Sequence, residues 1–194
     1  MKKLLFLAAA CLLGGMAAQA QMPDPIYGEG SEYEAIRKYE EQQRLEAIED
    51  SLNYVRAMDA LERMDFVVEA DQLMFKWGRT AFVNTATNFV SVHDGEATIQ
   101  IAPFNAGGGP NGVGGITVTG TPSNVKVKTN KRGNTYFSMN VNGPGVSATV
   151  SLNIARGSNQ VTLTVSPNFN SNNVTLMGEL LPTAFSNVYK GRSL

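Results

Sequence analysis

The residues of this chain that could do chemistry are few. His93 is the only histidine among 194 residues, so a metal site built from two or three imidazoles is excluded. Asp94 adjoins it, but a Ser-His-Asp triad on a nucleophile elbow needs G-x-S-x-G, and the sequence has none. The turn phrase His93-Asp94-Gly95 therefore reads as a structural or solvent-facing histidine. Glu69 and Asp71 lie two apart on one predicted strand face, and Asp94 and Glu96 flank a predicted hairpin. Paired carboxylates can serve glycoside hydrolysis or hold Ca²⁺. However, Phe66–Leu194 contains only five acidic residues and no D-x-D-x-D-G loop. Solvated strand surface, or pairing with Lys126 and Lys128, is the expectation.

Two further features invite a binding role. Gly107-Gly108-Gly109-Pro110-Asn111-Gly112 formally satisfies G-x-G-x-x-G, yet a strand-like Gly115–Gly120 follows where a phosphate site needs a helix N-terminus. A loop over 106–115 is expected, with no nucleotide. Trp77, with Phe75 and Phe82 near Gly78, is either a core plug at a strand end or an exposed aromatic platform. The plug is the weightier expectation; on the other reading Trp77 and Phe75 are the candidate ligand contacts. No catalytic, cofactor-binding or metal residue is assigned, and no cofactor is expected.

The start of the chain bears on where any such contact would occur. Met1-Lys2-Lys3, an apolar Leu4–Ala17 and small residues at Ala18 and Ala20 compose a secretory signal peptide over 1–20. The apolar run is too short for a membrane span. Cleavage between Ala20 and Gln21 removes Cys11, the only cysteine, and with it disulfides and thiol catalysis. Ala8-Ala9-Ala10-Cys11 is a poor lipoprotein box, so anchoring through Cys11 is not expected. The expected location is the periplasm, the cell envelope or the exterior.

Charge and pattern divide the remainder. Residues 21–65 carry twelve acidic and five basic side chains, a net of 5 − 12 = −7. Residues 66–194 carry five acidic and nine basic, a net of 9 − 5 = +4. Neither balance implies a nucleic-acid partner. Residues 21–30 are a linker by their Pro and Gly content. Ser31-Glu32-Tyr33-Glu34 is a capping box opening an amphipathic helix over 31–64, with Leu45, Ile48, Leu52, Val55 and Met58 along one stripe. That stripe is expected to lie on the sheet; the alternative is a coiled coil that makes a homo-oligomer.

From residue 65 onward the period becomes two. Val146, Ala148, Val150, Leu152 and Ile154 alternate with Ser147, Thr149, Ser151 and Asn153, and residues 136–141 and 161–165 repeat the pattern. Nine strands are predicted, near 66–75, 87–93, 96–102, 115–120, 123–129, 134–142, 146–155, 159–166 and 173–181. Turn residues and short connections make them an antiparallel meander over 65–194, closing into a barrel or a two-sheet sandwich, with one wet face. The fold class is thus mainly β, preceded by one long N-terminal α-helix.

Several phrases occur in the order of a secreted Bacteroidota family, the domain of unknown function 4251. They are Asp65–Asp71, Asn88–Val92, Ala97–Ala102, Gly114–Gly120, Lys131–Asn134 and Tyr189–Gly191. The chain resembles that family over about residues 57–194. The resemblance implies an envelope-directed β domain and supplies no activity. In that setting Asp50-Ser51-Leu52 also resembles a protein O-glycosylation acceptor, the plainer reading being polar helix surface. The expected function is therefore non-catalytic binding of an unidentified ligand or envelope component. The alternatives are a glycan-acting hydrolase and a structural oligomer assembled through residues 31–64. The first test is chemical: intact mass of the exported protein should show Gln21 as its first residue, and a diacylated Cys11 terminus would contradict the reading.

Overall fold

Alternation along the strands becomes an inside and an outside. In the computed structural model, which describes residues 29–103, 112–169 and 172–193, the strands form one antiparallel sheet that closes on itself. The expected signal peptide, Cys11, the Ala20/Gln21 cleavage pair and residues 107–111 of the glycine run lie outside the described residues. So does most of the linker, but Glu29 and Gly30 are helical. The chain divides into two units, residues 1–41 and 42–194. In the first, residues 32–41 are helical and exposed. The barrel belongs to the second.

Its strands are β1 (Phe66–Met74), β2 (Thr80–Phe82), β3 (Phe89–His93), β4 (Glu96–Ile101), β5 (Ile116–Thr129), β6 (Thr135–Gly143), β7 (Val146–Ile154), β8 (Gln160–Pro167) and β9 (Val174–Pro182). Sequential neighbours pair from β3 to β9, and β1 pairs with β3 on one edge and β9 on the other. Of the nine strands in the sheet, β2 alone stands outside the ring, continuing the β3 column beside Gln72–Met74. The architecture is an eight-stranded up-and-down barrel, which resolves the barrel-or-sandwich alternative.

Two strand predictions change. Residues 115–120 and 123–129 are one strand, β5, with a register shift between Ser123 and Lys126. Pro122 lies within this strand opposite Val141 of β6, and β4 pairs with β5 only as far as Gly120, so on that edge no neighbour needs its missing N–H. Lys126 and Lys128 follow on that same free edge, where charge discourages pairing with another chain. The three-residue β2 is too short to show a period.

Interior side chains form one cluster that includes Phe66, Val68, Phe137, Val150, Leu163 and Leu176, with Phe66 and Phe137 in edge-to-face contact at 5.6 Å. The expected wet outer face is not uniform: Thr98 and Gln100 on β4 and Val67 on β1 are buried as well. The segment after β9 covers them. Ser186 donates to Glu69 Oε1 at 2.6 Å, Tyr189 N–H donates to Ala86 O at 2.8 Å, and Lys190 Nζ reaches Glu96 Oε1 at 2.8 Å.

The helix α1 spans Glu29–Arg63, so it begins two residues before the expected Ser31. Its other end is a Schellman motif: Met64 N–H donates to Leu61 O, Asp65 N–H donates to Ala60 O, and Met64 takes φ 56°. Ala57, Ala60 and Leu61 are fully buried in the barrel's interior cluster, at the end where β1 starts. Leu45, Ile48, Leu52 and Val55 are 49–61% exposed. At 100° per residue the centre of these four lies about 130° around the helix from the midpoint of the buried alanines. The expectation that this stripe packs on the sheet is therefore corrected for these four residues, while Met58, its last member, packs against the core. Closing a barrel end favours small residues that let the helix axis approach.

Residues 21–48 contribute no core side chain among the described residues, whereas 49–64 contribute three. Removing 21–48 should leave stability within about 0.5 kcal/mol, while removing 21–64 should cost roughly 3–5 kcal/mol. Thermal melts of both truncated proteins check this. Sedimentation of the shorter truncation also reports whether Leu45 and Ile48 mediate self-association.

Candidate functional site

The barrel has two unlike ends. The lower end holds the helix C-terminus, the β3–β4, β5–β6 and β7–β8 turns and the end of β9. The upper end holds the β1–β2, β4–β5, β6–β7 and β8–β9 connections. Below, Leu61, Phe66 and Phe137 fill the interior. Above, the inward positions are shorter aliphatic side chains, and a cavity of about 360 Å³ remains.

Ile99, Ile101, Val118, Val146, Val165 and Val174 form most of its wall, with Pro167 and Phe169 also lining it. Its polar side chains are Ser147 and Asn172, and none of the described residues lining it is titratable. Pockets that take small organic ligands measure roughly 300–1,000 Å³. Eight-stranded barrels have interiors that hold side chains or one small ligand. The site can bury an apolar group. A shallower groove of about 480 Å³ adjoins it along Asn142, Gly143 and Phe169.

Trp77 sits at the same end, at the tip of the β1–β2 hairpin. It is 88% exposed, which overturns its expected place as a core plug. The hairpin is closed by Phe75 N–H donating to Arg79 O at 2.8 Å and Gly78 N–H donating to Phe75 O at 3.1 Å. This geometry puts Trp77 at φ 72°, turning its side chain away from the core. Phe75, grouped with it as a ligand contact, instead packs against the core. The structure thus separates the two. Phe169, which the sequence reading did not single out, lines the cavity and is 88% exposed. Nothing in a Pro167–Asn173 turn phrase signals such a role.

The carboxylates do not converge. Asp71 is the extra residue of a β-bulge between Ala70 and Gln72, so Glu69 and Asp71 do not form the simple same-face pair that the spacing suggested. Glu69 is held by Ser186 and Glu96 by Lys190. Asp94 and Gly95, both at positive φ (48° and 75°), make the two-residue turn of the β3–β4 hairpin, consistent with type I′ geometry. His93 Nδ1 lies 2.7 Å from Asp65 Oδ1, and Nε2 lies 3.2 Å from Asp94 Oδ2. Those two carboxylates occupy both ring nitrogens, leaving no geometry for a triad. Among the described residues no group of three or more His, Cys, Asp or Glu could hold a metal ion. Nor is any described helix long and apolar enough to cross a membrane.

Buried polar groups on the outside of β4 are structural. Gln100 Nε2 donates to Thr87 O (3.0 Å) and Tyr189 O (2.8 Å), while Oε1 accepts from Thr117 Oγ1 and Gly191 N–H, each at 2.7 Å. All four of its hydrogen-bonding positions are filled. Asn88 similarly accepts from Ala102 N–H at 2.8 Å and donates to Ala102 O at 3.2 Å.

Comparison with known proteins agrees with this architecture. The family model for a domain of unknown function, DUF4251, matches residues 49–180, and the chain belongs to that family. A solved structure, described as that of a DUF4251 family protein from Bacteroides eggerthii DSM 20697, is 49% identical. The match covers 76% of this chain and 99% of that one, with a TM-score of 0.64. No curated protein matches. The matched region begins in the part of α1 that enters the core and leaves out the exposed residues 32–48.

The ion pairs at the lower end have a measurable consequence. The Asp65 hydrogen bond, and then the charge of Asp94, raise the His93 pKa above the ordinary histidine value. Protonated His93 therefore adds stability that is fully present below about pH 6.5 and is lost as pH rises through the raised native pKa. As the only histidine, its NMR titration should fall above the ordinary value and move down in Asp65→Asn.

Proposed function

We propose that this family member is a non-catalytic, exported barrel that binds one apolar ligand, such as the acyl chain of an envelope lipid, at its upper end. The observation that carries this reading is the 360 Å³ cavity walled by aliphatic side chains, with no titratable residue among its described lining. Burial of apolar surface supplies the affinity, and the few polar rim groups leave the headgroup in water. The glycan-hydrolase alternative needs two carboxylates about a sugar apart facing one cleft, and the described cavity wall has none. An oligomer built through the helix is a second reading, supported by the exposed Leu45, Ile48, Leu52 and Val55. Arg44 and Glu49 occupy flanking heptad positions that meet between parallel helices; the truncation at residue 48 tests it.

Titration of the delipidated protein with a fluorescent fatty acid such as cis-parinaric acid should give saturable binding of one chain. Val146 is partly exposed at the cavity wall, so Val146→Phe fills space without disturbing the deep core. That variant should weaken binding at least about tenfold, some 1.4 kcal/mol, with an unchanged melting temperature. Absence of binding in the parent protein, or equal binding in the variant, would refute the reading.

A further inference from the structure

The upper end differs from the lower in charge as well as shape. The described residues of its four connections are 75–79, 102–103 with 112–115, 144–145, and 168–169 with 172–173. Together they contain Lys76 and Arg79 and no other charged residue. The lower connections carry Asp65, Asp94, Lys131, Arg132 and Arg156. The same upper end displays Trp77 (88% exposed), Phe82 (85%) and Phe169 (88%), with the Lys76 ammonium 5.4 Å from the centre of the Trp77 ring. Aromatic side chains beside basic groups, with the exposed Asp71 on β1 next to Phe82 as the nearby acid, suit the headgroup layer of an anionic bilayer.

Backbone geometry points the same way. Trp77 occupies the left-handed region at φ 72°, ψ 18°, which for a bulky residue is strained and normally falls to Gly or Asn. Its ring makes no buried contact to offset that strain, since it is almost fully exposed. A contact outside the chain would account for both.

We infer that the upper end docks on the surface of an anionic phospholipid bilayer through Trp77, Phe82 and Phe169, with Lys76 and Arg79 engaging lipid phosphates. This inference rests on the acyl-chain reading of the cavity, because docking there places the cavity mouth against the lipid from which a chain would enter. Export is no requirement of the geometry, which asks only for an accessible anionic leaflet.

Trp77 is the only tryptophan, so its emission reports docking directly. The full protein should be mixed with vesicles of phosphatidylethanolamine containing roughly a quarter phosphatidylglycerol, and with vesicles of phosphatidylcholine alone. The anionic vesicles should shift Trp77 emission to the blue and brominated lipid should quench it; the zwitterionic ones should do neither comparably. Lys76→Glu with Arg79→Glu, and separately Phe82→Ser with Phe169→Ser, should each weaken partitioning at least about tenfold, with unchanged melting temperatures. Val146→Phe should lose fatty-acid binding yet keep the vesicle response, so failure of the cavity reading is distinguishable from failure of docking. No shift with anionic vesicles, or equal partitioning by parent and variants, would overturn the inference. A shift produced by soluble glycans and not by vesicles would overturn it too.

Discussion

Everything in this fold depends on the pairing of β1 with β9. The two strands run together from Phe66 opposite Pro182 to Met74 opposite Thr175, and without that ladder the sheet has two open edges. The approach is close. A Cβ at Gly178 would fall 1.9 Å from the Glu69 carbonyl oxygen and 2.8 Å from the Ala70 Cα, so only glycine permits the ladder to pass that point undisturbed. The register shifts immediately afterwards, at Asp71. A bulge on one strand opposite a missing side chain on the other lets the sheet turn sharply where it must close. It also reverses the parity of β1: Phe66, Val68 and Ala70 face inward, and then Leu73 does.

Closure leaves the outer surface to be managed, and the chain does this with polar groups. Covering β4 from outside takes the unpaired backbone of the C-terminal segment out of water, and Gln100 and Asn88 answer that backbone. Leaving either amide unpaired would cost more than the bonds themselves add. The phrases Asn88–Val92, Ala97–Ala102 and Tyr189–Gly191, far apart in sequence, are therefore the parts of one hydrogen-bonded assembly. Their order in the chain was visible beforehand; their convergence was not, since no local pattern encodes a contact between Gln100 and Gly191.

What the sequence made legible follows the range of the physics involved. Alternation is local, and it located the ring strands and the mainly β class. The helix was legible as a helix but its buried face was not. A stripe of large aliphatic residues is the usual mark of a packed surface, whereas here Ala57, Ala60 and Leu61 carry the contact, with Tyr54 and Met58 packed beside them. Trp77 illustrates the same limit. Its type favours burial, but a hairpin only five residues long between β1 and β2 turns its tip away from the core. The cavity wall was present in the sequence as ordinary inward positions of β4, β5, β7, β8 and β9. Its being unfilled depends on which side chains end up facing one another, which closure alone decides.

The upper end departs from what stability alone would favour in two separate ways. An apolar cavity forfeits dispersion contacts that longer side chains at Val146, Val165 or Val174 would restore. A tryptophan at positive φ adds backbone strain where an asparagine or glycine would relieve it. The lower end shows the opposite economy: Leu61, Phe66 and Phe137 fill the interior, and His93 is tied to two carboxylates. Solubility does not account for the difference, because charged loops at the upper end would serve it better than exposed aromatic rings. On the proposed reading both departures have one origin: apolar matter from outside the chain would fill the cavity and cover the rings.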